Sequence, residues 1–312
     1  MDVVTHGITG VLVSRSLPSG HNASVMAAGL IGALAPDLDA VARLWDPMAS
    51  ITVHRAATHS LIGGLAVALV VAGSVWGLYR ENFFRLFCVA YLGLLSHIGM
   101  DLLTSFGTAF LWPLSGRRFG LSLHYVVEPI ITTLALLFLF ASFRLRGRRI
   151  SLALSGFIGI GLYVLVAAAH QSIAFSRWQG FIETQGIRPV RSTVIPLFPG
   201  PFRWLGVAET EKAFYQKRFW VYGSAIGPTH LFSKTKNEEI ASVQQLREVK
   251  LFLDFARFPW RRVRTEGSFR IVEYLDLAFA DHPLGFLGGP LSLQIWVDES
   301  GTVRKVELGH LF

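Results

Sequence analysis

The chain has 312 residues, of which 52% are hydrophobic and only 16% are charged, and its mean hydropathy is +0.45. This composition is too apolar for an ordinary soluble domain and indicates an integral membrane protein. The formal net charge of +8 does not call for a nucleic-acid partner, because membrane proteins concentrate Lys and Arg in cytoplasmic loops; we expect no nucleic acid.

The first 170 residues predict a polytopic α-helical membrane domain of about six helices, of which the first two are short. The uncharged runs at Leu61–Tyr79 and 150–169 each approach the roughly 20 residues that span a bilayer. Thr58 or Ser60 is expected to cap the helix that follows them. The predicted helices cover residues 3–17, 23–35, 61–79, 86–103, 125–143 and 150–169.

Residues 171–312 predict a soluble α+β domain, because charged residues become frequent there: 18 Lys/Arg and 14 Asp/Glu, against 11 and 7 before residue 171. Alternating apolar stretches predict strands, and Glu299 to Gly301 lies between two of them as a hairpin turn. Apolar residues at helical spacing predict one amphipathic helix over residues 238–258.

The turn at residues 144–149 contains four arginines and is therefore predicted to be cytoplasmic. Counting helices from that turn places the loops at 40–58 and 104–124 on the opposite, extracytoplasmic side, together with the C-terminal domain.

Nine His, Asp and Glu side chains then fall at helix ends on this outer face. Charged groups in membrane helices are expensive and usually have a function, and four of the seven acidic residues before residue 171 belong to this set. His97 and Asp101 are four residues apart and share one helix face. The full set is His6, Asp37, Asp39, His54, His59, His97, Asp101, His124 and Glu128.

Imidazole and carboxylate ligands without thiols favour zinc, with manganese or iron as alternatives. Five His and four acids exceed the ligands of one closed zinc site, so we expect two ions. Two-metal sites commonly cleave phosphate esters with a metal-activated water. Arg55 is a candidate phosphate ligand, as are Arg117 and Arg118, and Asp39 and His54 are alternative general bases.

The motifs around these residues resemble the YdjM family of bacterial inner-membrane proteins, which are proposed metal-dependent hydrolases. The resemblance covers roughly residues 1–170 and implies location in the bacterial inner membrane. It rests on His6, Ala35-Pro36-Asp37-Leu38-Asp39, His54-Arg55-Ala56-Ala57-Thr58-His59-Ser60 and Ser96-His97-Ile98-Gly99-Met100-Asp101.

The order of the motifs is also similar to that of the zinc-dependent phospholipase C and single-strand nuclease superfamily. The matching positions are His6, Asp37, His59, the pair His97 and Asp101, and the pair His124 and Glu128. This similarity implies a first metal held by Asp37, His59, His97 and Asp101 and a second that uses His124 and Glu128.

We therefore expect a membrane-bound, metal-dependent hydrolase that acts on phosphoester bonds in a lipid or lipid-linked substrate, with membrane lipids as its surroundings. The alternative is a non-enzymatic envelope protein with a structural metal site and a partner-binding C-terminal domain. A metal transporter ranks third, since its polar residues would lie at mid-membrane depth rather than at helix ends.

Overall fold

The computed structural model describes residues 1–223, 225–234, 241–279 and 291–309, and it confirms an apolar helical part followed by an α+β part. The helices in chain order are α1 Val3–Arg15, α2 Ala23–Leu34, α3 Ala49–Thr52, α4 Leu61–Tyr79, α5 Phe83–Leu102, α6 Pro129–Arg144, α7 Arg149–Thr184, α8 Ala241–Gln244 and α9 Arg247–Phe255. The strands are β1 Arg191–Leu197, β2 Arg203–Glu209, β3 Ala213–Trp220, β4 Ala225–Ser233, β5 Pro259–Glu266, β6 Phe269–Asp276, β7 Ser292–Val297 and β8 Val303–Leu308.

The chain divides into two compact units. Unit 1 comprises residues 1–42, 53–171 and 198–201, and unit 2 comprises residues 43–52, 172–197 and 202–312. By length and composition, four helical segments of the described residues can cross a membrane: Ala23–Leu44, Leu61–Tyr79, Phe83–Leu102 and Arg146–Thr184. The apolar helix α6 is shorter, with 16 residues.

Small residues allow the helices of unit 1 to pack closely around α2. A Cβ atom on Gly29 would lie 2.0 Å from Ser14 Oγ of α1, and one on Gly32 would lie 2.2 Å from the Ala90 carbonyl oxygen of α5. Both distances are shorter than any van der Waals contact, so only glycine fits at these crossings. Membrane helices often approach one another through such residues.

The last membrane helix, α7, extends 15 residues beyond its predicted end at residue 169 and reaches Thr184. The reason is that the uncharged run gives way to an amphipathic segment. Ala174, Trp178 and Ile182 recur at intervals of four, and all three are buried in one cluster with residues of the first sheet.

Unit 2 contains two antiparallel sheets of four strands each, in the orders β1-β2-β3-β4 and β5-β6-β7-β8. The β7–β8 hairpin turns at Gly301, as predicted. The helix predicted over 238–258 differs from the structure: α8 and α9 are separate and short, because the helix breaks at Leu246, which is extended. Residues 238–240 of that prediction lie outside the described residues.

Candidate metal centre

The fold of unit 1 brings five of the predicted ligands together at one end of its helices. His6 lies near the start of α1, and Asp37 follows the end of α2. His59 comes just before α4, and His97 and Asp101 lie in the last two turns of α5. Because α1 and α2 are joined by a short turn, as are α4 and α5, each pair returns to the same end.

His97 has a fixed ring orientation, because its Nδ1 lies 2.7 Å from the carbonyl oxygen of Ala33. A carbonyl oxygen can only accept, so Nδ1 carries the proton and Nε2 is left with its lone pair when the ring is neutral. That Nε2 lies 3.5 Å from both Asp37 Oδ1 and Asp101 Oδ2. A lone pair thus faces two carboxylates, which is unfavourable unless a cation lies among them.

His59 is held in the same way by a carboxylate. Its Nδ1 lies 3.3 Å from Asp39 Oδ2, which also accepts a 2.6 Å hydrogen bond from the hydroxyl of Thr58. Its Nε2 lies 3.3 Å from Asp37 Oδ1 and 3.7 Å from Asp101 Oδ2. Burial favours a low pKa for His59, but hydrogen bonds with Asp37 and Asp39 outweigh burial and raise the pKa above its ordinary value.

Asp101 has different partners on its two oxygens. Its Oδ1 accepts a 3.0 Å bond from Arg55 and lies beside the α-amino nitrogen of Met1. Its Oδ2, which faces His59 and His97, has no hydrogen-bond partner among the described residues. Arg55 is itself buried, has a positive φ of 62°, and also donates to the Thr104 hydroxyl at 2.9 Å. Arg55 therefore holds Asp101 in place.

His6 completes the buried side of the cluster. Its ring stacks on that of His97 with a centroid distance of 3.6 Å, and its Nε2 lies 3.4 Å from Asp101 Oδ1. Neither ring nitrogen of His6 has a hydrogen-bond partner in the part of the chain that the structure describes. Two protonated rings at this separation would repel each other strongly, so proton binding is a poor way to satisfy these atoms.

These residues fit a divalent cation. Three overlapping groups each offer ligand atoms within 4.8 Å of one another: His6, Asp37 and His97; Asp37, His54 and His59; and His59, His97 and Asp101. Several of the atoms are buried without a hydrogen-bond partner among the described residues, which a native structure rarely tolerates unless something else satisfies them. Imidazole nitrogens with carboxylate oxygens are ligands that zinc, manganese and iron accept.

The two remaining predicted ligands, His124 and Glu128, are buried but belong to none of these groups. His124 precedes α6, and its Nδ1 lies 2.7 Å from the carbonyl oxygen of Tyr125. Glu128 is the N-cap of α6, which begins at Pro129 rather than at the predicted residue 125. Burial lowers the pKa of His124 to about 4 and raises that of Glu128 to about 7.

Contacts in the site involve Thr58, Ala33 and Thr104, which sequence reasoning did not connect with it, and also Arg118, a predicted phosphate ligand. Thr58, a predicted helix cap, instead donates to Asp39, and Ser60 caps α4. The Ala33 carbonyl and the Thr104 hydroxyl had no signal in the sequence. Arg118 donates to the His54 carbonyl oxygen at 3.0 Å, and burial lowers its pKa to about 10, whereas Arg117 is exposed.

Comparison with known proteins gives one family and two relatives. A model of the YdjM inner membrane protein family matches residues 1–174. The uncharacterized protein YfhP of Bacillus subtilis (strain 168) is 29% identical over 141 residues, which are 42% of this chain and 43% of YfhP. The inner membrane protein YbcI of Escherichia coli (strain K12) is 31% identical over 123 residues, 38% of this chain and 70% of YbcI. No solved structure matches.

Proposed function

The chain belongs to the YdjM inner membrane protein family, and we propose that it is a hydrolase that depends on a divalent metal and cleaves phosphoester bonds in a lipid or lipid-linked substrate. The observation that carries this proposal is the set of buried lone pairs and carboxylate oxygens that converge on one point without hydrogen-bond partners among the described residues.

Asp37, His59, His97 and Asp101 would hold the first ion, and His6 lies beside them. Zinc suits this set best, and manganese and iron are also accepted. His124 and Glu128 would take part in a second ion. When bound, such a metal acts as a Lewis acid and lowers the pKa of a coordinated water.

We assign the proton-transfer role to His54 rather than to Asp39. Both oxygens of Asp39 are engaged: Oδ1 lies 2.7 Å from His54 Nδ1, and Oδ2 binds Thr58 and lies near His59. The Asp39 side chain is also only 4% exposed, whereas that of His54 is 27% exposed. Asp39 therefore orients His54, and the second ring nitrogen of His54 would accept or donate a proton at the open edge of the site.

The position of the site supports a lipid or lipid-linked substrate. The candidate ligands lie at the ends of apolar helices, where we expect a bilayer to give way to water. Asp37 and His54 are the partly exposed members, so a substrate would approach along their edge of the cluster. A phosphoester that reaches this depth would belong to a lipid headgroup or to a lipid-linked molecule.

One observation favours the alternative of a structural metal in a non-enzymatic envelope protein. His6, His59, His97 and Asp101 are all completely buried, as the ligands of structural sites commonly are. The hydrolase and the structural protein differ in the role of the open edge formed by Asp37 and His54. A hydrolase needs this edge to admit its substrate, and a structural site does not.

The test is hydrolysis of bis(p-nitrophenyl) phosphate and of phosphatidylglycerol dispersed in detergent by purified, zinc-loaded protein. We expect activity in the wild type and in His21→Ala, which alters an exposed histidine. His54→Gln should keep its metal but lose about 10²- to 10⁴-fold in rate, as expected for a lost acid–base group. Metal-loaded wild-type protein without activity on any phosphoester would refute the enzyme and leave a structural metal.

A further inference from the structure

One end of the first sheet in unit 2 carries three exposed aromatic side chains. These are Phe202, Trp220 and Tyr222, whose exposed fractions are 40%, 39% and 64%. They lie together because Arg203, at the start of β2, pairs with Trp220, at the end of β3, and the Val221 amide donates to the Phe202 carbonyl oxygen. We call these three residues the aromatic end.

Arg177 ties the aromatic end to α7. Its guanidinium donates to the carbonyl oxygens of Trp220 at 3.1 Å and Gly223 at 2.6 Å, and also to that of Val221. The helix is continuous from Arg149 to Thr184, and its uncharged run ends at residue 169. Arg177 therefore lies about 12 Å beyond residue 169 along the helix axis. Its height above the hydrocarbon layer is smaller when the helix is tilted. That position is within a side chain's length of the headgroup layer, which is about 5–8 Å thick.

The chain segment that leads into the aromatic end points to the same boundary. Residues 198–201 immediately precede Phe202 and belong to unit 1. A Cβ atom on Gly200 would lie 2.6 Å from Glu128 Oε2, so this segment contacts the N-cap of α6. Since α6 is an apolar helix, we expect its first residue to lie near the edge of the hydrocarbon layer. Phe202 is two residues from that contact.

We propose that the aromatic end lies in the lipid headgroup layer and holds unit 2 on the membrane surface. Trp and Tyr favour this layer, because their rings have an apolar body that prefers lipid and a polar group that stays hydrated. Arg177 fixes the height of the aromatic end through backbone carbonyls, so the contact does not depend on a flexible side chain. This inference is independent of the proposed hydrolase activity.

The test uses single cysteines in a Cys88→Ala background, because Cys88 is the only cysteine of the chain. Tyr222→Cys reports on the aromatic end. Glu211→Cys is the matched control: it is exposed in the turn at the opposite end of the same β2–β3 hairpin, about 24 Å away. The full-length protein, labelled with an NBD fluorophore, is reconstituted into vesicles of phosphatidylcholine and phosphatidylglycerol with and without lipids that carry a nitroxide near the headgroup.

We expect the nitroxide lipids to quench the probe at Tyr222→Cys and to leave the probe at Glu211→Cys unchanged. Trp220→Cys serves as a second reporter if Tyr222→Cys does not fold. An unquenched probe at both reporters would overturn the proposal, as would stronger quenching at Glu211→Cys. A blue-shifted probe that the nitroxide lipids do not quench would show that a protein, such as a second copy of this chain, covers the aromatic end instead.

Discussion

Asp39 has the contacts of a residue that positions others rather than one that reacts. It joins His54, Thr58 and His59, and its side chain is nearly inaccessible. Carboxylates of this kind fix the ring orientation of metal-binding histidines and raise their basicity, and their loss typically weakens metal affinity by about 10- to 100-fold.

Asp39→Asn should therefore weaken zinc binding by about 10- to 100-fold without unfolding the protein. Competition with a chelator of known affinity measures the change. Asp46→Asn is the control, because Asp46 lies on unit 2 and forms an exposed ion pair with Arg247. Equal zinc affinity in Asp39→Asn and the wild type would show that Asp39 has no part in the centre.

The sequence indicates which residues can bind a metal, but not which atoms of each residue are available. Spacing predicts that His97 and Asp101 share a helix face, and their contact at 3.5 Å confirms this. Arg55 is a candidate phosphate ligand from the sequence, and the structure pairs it with Asp101. No local pattern could show this pairing, because it joins residues 46 positions apart through the loop before α4 and the end of α5.

At the scale of helices, the close crossing of α1, α2 and α5 positions the ligands. Gly29 of α2 lies against Ser14 and Gly10 of α1, and a Cβ on Gly93 of α5 would in turn approach the Gly29 carbonyl oxygen at 2.4 Å. The same three helices position His6, Asp37, His97 and Asp101. A larger side chain at this crossing would have to separate the helices and with them the ligands.

Gly29→Leu should accordingly lower the thermal unfolding temperature in detergent and reduce the bound metal. Gly73→Leu is a matched control on α4, because a Cβ atom there would have nothing within 4 Å. Thermal unfolding and metal content are measured on both proteins. Similar losses in the two variants, or none in Gly29→Leu, would show that the crossing does not support the site.

The sequence predicts the length of a helix correctly only where the uncharged apolar run and the helix have the same ends. This holds for α4, whose observed bounds equal the uncharged run at Leu61–Tyr79. It fails for α7, because the signal in the sequence is hydrophobicity and the helix continues as an amphipathic segment that packs on a sheet. It also fails at α6, where Pro129 and the Glu128 cap set the start.

For the whole molecule, the orientation in the membrane is a prediction from charge. The arginines at 144–149 place that turn in the cytoplasm by the positive-inside rule, so the metal centre and the C-terminal domain would lie on the other side. The packing of the helices fixes which helix ends lie together, and the charge of the loops predicts which compartment they face.

Single cysteines in the Cys88→Ala background test this orientation. Gly147→Cys lies in the exposed basic turn, and Gly116→Cys lies in the exposed loop on the side of the centre. An impermeant maleimide should modify Gly116→Cys in intact spheroplasts and Gly147→Cys only after permeabilisation. The reverse pattern would place the centre in the cytoplasm and exclude an extracytoplasmic substrate.

The metal centre is tested by the metal content of detergent-purified protein, measured by elemental analysis on the wild type, His97→Ala and His21→Ala. His97 has a ring nitrogen aimed between two carboxylates, and His21 is exposed on the α1–α2 turn. We predict about two equivalents of zinc, manganese or iron in the wild type and in His21→Ala, and their loss in a His97→Ala protein that keeps its helical content. His59→Gln repeats the test if His97→Ala does not fold. A folded wild-type protein without metal, or a His97→Ala protein that retains it, would show that this cluster does not hold a metal.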